Sequence, residues 1–265
     1  MSILALKLIL SPIIIGSASL AGRKWGHAVS GWLIGLPLTS GPVIFFLSLS
    51  HDKSFVMTSV LGTLSGGFSL VAFCLSYAWL STRFRWPIAT IGSLVAYFVL
   101  VLLMQNILIP LLWLYLMVVL VILSGFRLMP VETIVIGTDS KPGAWDIPAR
   151  ILIGTSFILL LTESATFIGP RLTGLLATIP LYTVILTIFA HRFHGSPGAI
   201  SVLRGLLFGM FAFAGFFLAL GLLINHLSIG WAFVSAIAVA LLVQGSSLLI
   251  LRRKNIADSQ LEIRR

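Results

Sequence analysis

Charge is what this sequence most conspicuously lacks. Of its 265 residues, 17 are Lys or Arg and 7 are Asp or Glu, together 9%. A soluble domain carries about 25%, so this chain cannot cover a water-facing surface and reads as an integral membrane protein. The seven acids are Asp52, Glu132, Asp139, Asp146, Glu163, Asp258 and Glu262, and only Glu163 lies deep in an apolar run. Cysteine is nearly absent too. Cys74 alone excludes an internal disulfide and a thiolate metal cage, and reads as a packed core thiol. Catalytic motifs are missing: no His-Glu-x-x-His, Gly-x-Ser-x-Gly, P-loop or paired intramembrane aspartates. One intramembrane carboxylate is too few for most hydrolytic mechanisms. No enzyme activity, cofactor or metal is therefore expected. His191 and His194 share a helix face but have no Cys or carboxylate nearby in sequence, so they read as interfacial anchors.

What is abundant is apolar sequence, 58% of the chain. A spanning helix needs about 20 mainly apolar residues. Nine such stretches are predicted, at 2–20, 28–50, 54–80, 85–104, 107–124, 149–168, 171–190, 198–224 and 229–251. Residues 125–148 hold three acids and three prolines and read as a water-exposed linker. Lys7 interrupts the first apolar run instead of preceding it, which suits a span better than a secretory leader. The net charge of +10 sits in short clusters between apolar segments, the pattern of orientation signals and headgroup contacts, not of nucleic-acid binding. With the N-terminus outside, the inner loops hold Arg23, Lys24, Arg83, Arg85, Arg127, Lys141, Arg150 and Arg192. The inner tail adds Arg252, Arg253, Lys254, Arg264 and Arg265, against only Lys53 and Arg171 outside. The positive-inside bias thus places the C-terminus in the cytoplasm.

The chain also resembles itself. At an offset of 143 residues, Gly26, Gly31, Pro37, His51, Gly62 and Gly66 fall on Gly169, Gly174, Pro180, His194, Gly205 and Gly209. Leu33, Leu38, Phe46, Leu64, Phe68, Phe73 and Leu75 also meet identical residues, making 13 identities over positions 26–77. Apolar bias alone does not align Gly, Pro and His. The reading is a duplication: a four-helix unit over 1–104, a linking span and cytoplasmic loop over 105–148, a second unit over 149–251 and a basic tail over 252–265. An odd number of spans separates equivalent helices, so the second unit would be inverted, a common plan of secondary transporters. The paired Gly-x-x-x-Gly motifs read as sites of close helix approach.

Pro37 and Pro180 fall near the middle of predicted spans two and seven. Each removes a backbone donor and breaks a helix, and such backbone must be buried or line a wet cavity. Pro37, Thr39, Ser40 and Gly41 in one break, with Pro180, Tyr182 and Thr183 in the other, are the candidate substrate site at the midplane. Glu163 is the candidate proton-coupling group, because intramembrane carboxylates mark ion paths; its plainer role is an ion pair with Arg171 across the Gly169–Pro170 turn. Arg204 is expected to reach the inner headgroups. Gln244 reads as facing the cavity or bonding between helices.

"TGLLATIPLYTVILTIFAHRFHGSPGAISVLRGLLFGM" (173–210) and "RWPIATIGSLVAYFVLVLL" (85–103) resemble the GlpM-like family of small four-helix bacterial inner-membrane proteins. The last span lacks the Arg-x-Pro opening seen at 85–87 and so departs from that pattern. The resemblance implies a multi-pass protein of the bacterial inner membrane, with a cell-envelope role linked to exopolysaccharide (alginate) production. It assigns no catalytic residues. Three functions are consistent with the whole. The first is a secondary transporter or exporter of a small, weakly polar or amphipathic solute. The second is a translocator or accessory protein for lipid-linked envelope polysaccharide, with Arg23, Lys24, Arg83 and Arg85 meeting a phosphate headgroup. The third is a membrane scaffold with packed, dry breaks.

Overall fold

The computed structural model describes residues 3–25, 37–131 and 146–263, and every regular element among them is helical. In chain order these are α1 (Ile3–Trp25), α2 (Ser40–Ser50), α3 (Lys53–Ser81), α4 (Trp86–Met104), α5 (Leu111–Leu128), α6 (Asp146–Ile168), α7 (Pro170–Leu176), α8 (Leu181–Leu223) and α9 (Ile229–Ile263). Six helical runs are long and apolar enough to cross a membrane: α3, α4, α5, α6, the continuous α7–α8 stretch and the Ile229–Ser246 part of α9. Two shorter apolar helices, Ile3–Ser17 within α1 and α2, accompany them. This is the build of an all-helical, multi-pass membrane protein.

The distribution of polarity has the same meaning. Along α4 the exposed residues Ile88, Ile91, Val95, Phe98 and Leu102 recur at helical spacing, while Ala89, Thr90, Ser93 and Tyr97 are buried. A helix at a water-facing surface shows the reverse pattern. Here the small and hydroxylated side chains pack inward, where close approach and hydrogen bonding hold helices together in lipid. Helix α3 sits at the centre. Its buried Thr63 and Ser65 hydroxyls donate to the carbonyls of Ser59 and Leu61, one turn back, which keeps polar atoms satisfied without water.

Around α3 pack α4, α5, α7 and α8, while α9 lies on α8 and α1 lies on α6. The α3–α8 pair is antiparallel. Lys53 Nζ donates to the Asn225 carbonyl, Val60 lies beside Gly221, Gly67 beside Phe213, and Ser81 Oγ is 3.0 Å from Ser196 Oγ. Helices α1 and α6 are antiparallel as well, with Lys7 bonded to Glu163, Ile15 beside Gly154 and Gly16 beside Ile151.

At 1.5 Å per residue, the 43 residues of α8 would reach about 65 Å, roughly twice the hydrocarbon core. Gly195 interrupts that run at φ 67°, ψ −161°, a left-handed conformation that disfavours any residue with a Cβ. The limbs 181–194 and 196–223 result. Between α2 and α3 the corresponding turn is made by Asp52 instead, whose carboxylate accepts from Ser54 N–H at 3.2 Å.

The contacts also gather the charges. Trp79 Nε1 donates to the Leu128 carbonyl, Arg192 stands over Trp86, and Arg204 donates to the Pro130 carbonyl. One end of the bundle thus holds Arg83, Arg85, Arg127, Arg192 and Arg204. The other holds Lys53, Arg171, Asp52 and Glu163. Arg204 is half-buried and bound to the Pro130 carbonyl. Helix α5 continues to Leu128, past the predicted start of the linker at 125. Residues 132–145 of that linker lie outside the described residues.

Candidate substrate site at two helix breaks

Pro180 is the N-cap of α8, with φ −81° and ψ 54°, and α7 ends four residues earlier at Leu176. The proline ring removes the amide that would have served the Leu176 carbonyl. Ile179 N–H takes that carbonyl at 3.0 Å instead, while Leu181 N–H takes the Ile179 carbonyl at 2.8 Å. The Leu175 carbonyl accepts from Thr178 N–H at 3.2 Å, Thr178 Oγ1 at 2.7 Å and Tyr97 Oη at 3.1 Å. Tyr97 Oη is also 2.9 Å from Thr178 Oγ1. Leu175, Thr178 and Tyr97 are buried, and Leu176 and Ile179 are half-buried. The carbonyls of Leu175, Leu176 and Ile179 are therefore held by the protein itself, with Tyr97 of α4 fastening the break from outside.

The short helix α7 reaches α3 through two facing glycines. A Cβ on Gly62 would collide with the Arg171 carbonyl, and one on Gly174 with the Ser59 carbonyl. Thr178 lies against Gly66 in the same crossing. The close-approach reading of the first Gly-x-x-x-Gly motif therefore describes a real contact, made to the α7 hairpin. Arg171 is held there by neutral groups: NH2 donates to Ser65 Oγ (2.8 Å), the Met104 carbonyl (3.2 Å) and the Ile107 carbonyl (2.6 Å). A cation at the C-terminal end of α4 is favoured by the carbonyl dipoles there.

At the other break, residues 26–36 lie outside the described residues, so only its downstream side is visible. Pro37 carbonyl accepts from Gly41 N–H at 2.8 Å and Thr39 carbonyl from Val43 N–H at 3.1 Å, which starts α2. Thr39 is half-buried, and Ser40 and Gly41 are buried. The neighbours here are aromatic. The Phe216 ring edge comes within 3.8 Å of where a Cβ on Gly41 would stand. Phe45 of α2 meets Phe233 of α9 edge-on at 5.2 Å, and Phe233 lies 6.1 Å from Phe216.

Both breaks rest against the middle of the α3–α8 pair, Thr178 on Gly66 and Gly41 on Phe216. Between them stand Phe213, Phe216 and Phe217, with centroid distances of 4.9 Å for Phe213–Phe217 and for Phe216–Phe217. Thr183 is buried on the first turn of α8. Tyr182 is half-buried and donates its hydroxyl to the Arg150 carbonyl at 3.1 Å.

Glu163 pairs with Lys7, not with Arg171. The Nζ–Oε1 distance is 2.9 Å, with Lys7 4% and Glu163 63% exposed. The expected partner is corrected because Arg171 turns toward α3 and α4. Tight spacing across a turn does not decide which cation a carboxylate meets when an antiparallel helix supplies another. His191 is likewise more than an anchor: its Nδ1 is 3.3 Å from Tyr77 Oη. Among the expected headgroup residues, Arg83 and Arg85 are exposed on the α3–α4 turn. The side chains of Arg23 and Lys24 lie outside the described residues. Cys74 is fully buried.

Sequence reasoning missed Tyr97, Thr178, Lys7 and the phenylalanine layer as parts of the site. Tyr97 carried a signal, a tyrosine in mid-span far from either interface. Lys7 carried one too, as the lone cation in an apolar run. No family model, curated protein or solved structure matches the chain.

Proposed function

We propose that this chain is a secondary transporter or exporter of a small, weakly polar or amphipathic solute, built from two four-helix units of opposite orientation in a bacterial inner membrane. The observation that carries the reading is the pair of helix starts that follow Pro37 and Pro180, 143 residues apart in sequence, each helix bearing hydroxyl side chains in its first turns and each start seated on the centre of the α3–α8 pair. Recurrent boundaries support it. At the same offset, the α2–α3 turn at Asp52 corresponds to Gly195, the end of α3 to the end of α8 within one residue, and the start of α4 at Trp86 to the start of α9 at Ile229. The two antiparallel pairs, α1 with α6 and α3 with α8, are both pairs of equivalent helices, the arrangement expected about a twofold axis in the membrane plane.

The substrate contacts in this reading are Pro37, Thr39, Ser40, Gly41, Pro180, Tyr182 and Thr183, with the phenylalanine layer between them. Hydroxyls and phenyl rings without a charged side chain suit a substrate with a modest polar group and an apolar body. Glu163 takes up the proton. Its protonation removes the partner of buried Lys7 and so loosens the α1–α6 seam. Family kinship with the GlpM-like proteins, and hence an envelope substrate, belongs to the same proposal.

The test uses the single cysteine. In a Cys74→Ser background, one cysteine replaces Ser40 or Thr183 and is offered a membrane-impermeant maleimide from each side in turn. Labelling from both sides, slowed or biased to one side by Glu163→Gln, is the expected result. Protection from both sides, with control cysteines in the loops reacting normally, leaves two packed breaks and a scaffold.

A further inference from the structure

The arginine end of the bundle is organised in a way that orientation alone does not require. Arg83 and Arg85 flank the turn between α3 and α4, Arg192 lies on the first limb of α8, and Arg127 closes α5. All four are exposed. Specific contacts bring these distant segments together. Tyr77 Oη to His191 Nδ1 (3.3 Å) and Ser81 Oγ to Ser196 Oγ (3.0 Å) hold the end of α3 against the kink of α8. Trp79 Nε1 to the Leu128 carbonyl (3.0 Å) draws Arg127 alongside. The Arg192 guanidinium carbon stands 5.9 Å from the centroid of the Trp86 ring, a cation–π distance.

Two compositional facts sharpen the picture. Segments 79–86, 127–131 and 191–204 contain no Asp or Glu, and they contain five Arg but no Lys. Any cation serves as an orientation signal, whereas the planar guanidinium fork is the group that grips phosphate oxygens in pairs. Trp79 and Trp86 are partly exposed beside the arginines, and the apolar outer face of α4 begins directly below at Ile88 and Ile91. Phosphate-matching cations, an aromatic layer and a hydrocarbon-facing wall follow one another in the order of a phospholipid's own parts.

We infer that Arg83, Arg85, Arg127 and Arg192, with Trp79 and Trp86, form a headgroup site for an anionic phospholipid, best matched by a tetra-acyl lipid carrying two phosphodiesters. The site stands independently of the transporter reading and rests only on the membrane character of the fold. Lipid held there bridges α4, α5 and α8.

The experiment is native mass spectrometry of the full chain released from micelles containing cardiolipin, phosphatidylcholine or both, on the parent protein, R83Q/R85Q/R192Q, R83K/R85K/R192K, and K53Q as a control at the opposite end. The parent is expected to retain cardiolipin over phosphatidylcholine. The Gln triple variant is expected to lose that preference by about tenfold or more, the Lys triple variant to recover only part of it, and K53Q to behave as the parent. Equal retention of both lipids by the parent, unchanged retention in the Gln variant, or full recovery with Lys would overturn the site. If the triple variants are not monodisperse, R83Q and R192Q are read singly, each expected to lower retention several-fold.

Discussion

The two helix breaks share a spacing and differ in what holds them. The break at 177–180 is fastened by hydroxyls: Tyr97 and Thr178 bond each other and the Leu175 carbonyl. The break before Ser40 is backed by rings, with Phe216 on Gly41 and Phe45 on Phe233. At the offset of 143, Thr178 corresponds to Gly35, Tyr97 to Ala240, Phe233 to Thr90 and Phe45 to Ile188. The two prolines correspond, while these four neighbours have diverged. A hydrogen-bonded break is costly to move because each bond lost leaves a buried polar atom. A break packed on phenyl rings moves by sliding apolar surfaces. The first is the better fulcrum, and the second the better gate.

Substitutions put that contrast at risk, beginning with the most damaging. Gly62→Leu drives a side chain into the Arg171 carbonyl, where backbone meets backbone and nothing yields. A loss of about 3 kcal/mol or more is expected, seen as loss of a monodisperse peak in size-exclusion chromatography. Phe216→Ala hollows the wall behind the start of α2, with an expected loss of about 3 kcal/mol. A cysteine at Ser40 is then labelled faster while one at Thr183 keeps its rate; equal acceleration at both would erase the distinction between the breaks.

Tyr97→Phe removes one hydroxyl and leaves the ring, at an expected cost of about 1 kcal/mol in thermal stability. Here the labelling effect is reversed, rising at Thr183 and not at Ser40. A double-mutant cycle with Thr178→Val is expected to show coupling of about 0.5–1 kcal/mol. The smallest effect belongs to the ion pair. Glu163 is largely exposed, so Glu163→Gln is expected to lower stability by less than about 1 kcal/mol. Lys7→Met with Glu163→Gln is expected to exceed Glu163→Gln alone in melting temperature, because that single variant leaves the buried Lys7 ammonium without its partner.

Much of the fold was legible because lipid enforces simple rules. Apolar runs of spanning length marked α3, α4 and α6 to within a few residues and α9 at its start, though that helix runs on to Ile263, and Pro180 marked a genuine interruption. Gly62 announced a close approach, although nothing in the chain order said that α7 would be its partner. What stayed hidden were pairings between distant segments. Glu163 looked toward Arg171 because they are near in sequence, yet the antiparallel packing of α1 and α6 delivered Lys7. Tyr97 acquired its meaning only from Thr178, 81 residues away. Spacing along a helix is local information, and the choice among several cations or hydroxyls is made by packing.

The α1–α6 seam has one further property. Its register sets Lys7 against Glu163 near one end, and further along it sets Ile15 against Gly154 and Gly16 against Ile151. One end of the seam is therefore riveted by charge, while the stretch beyond it is a tongue-and-groove of glycine and alkyl side chains. Such a seam has one fixed point and a length of contact free to slide about it.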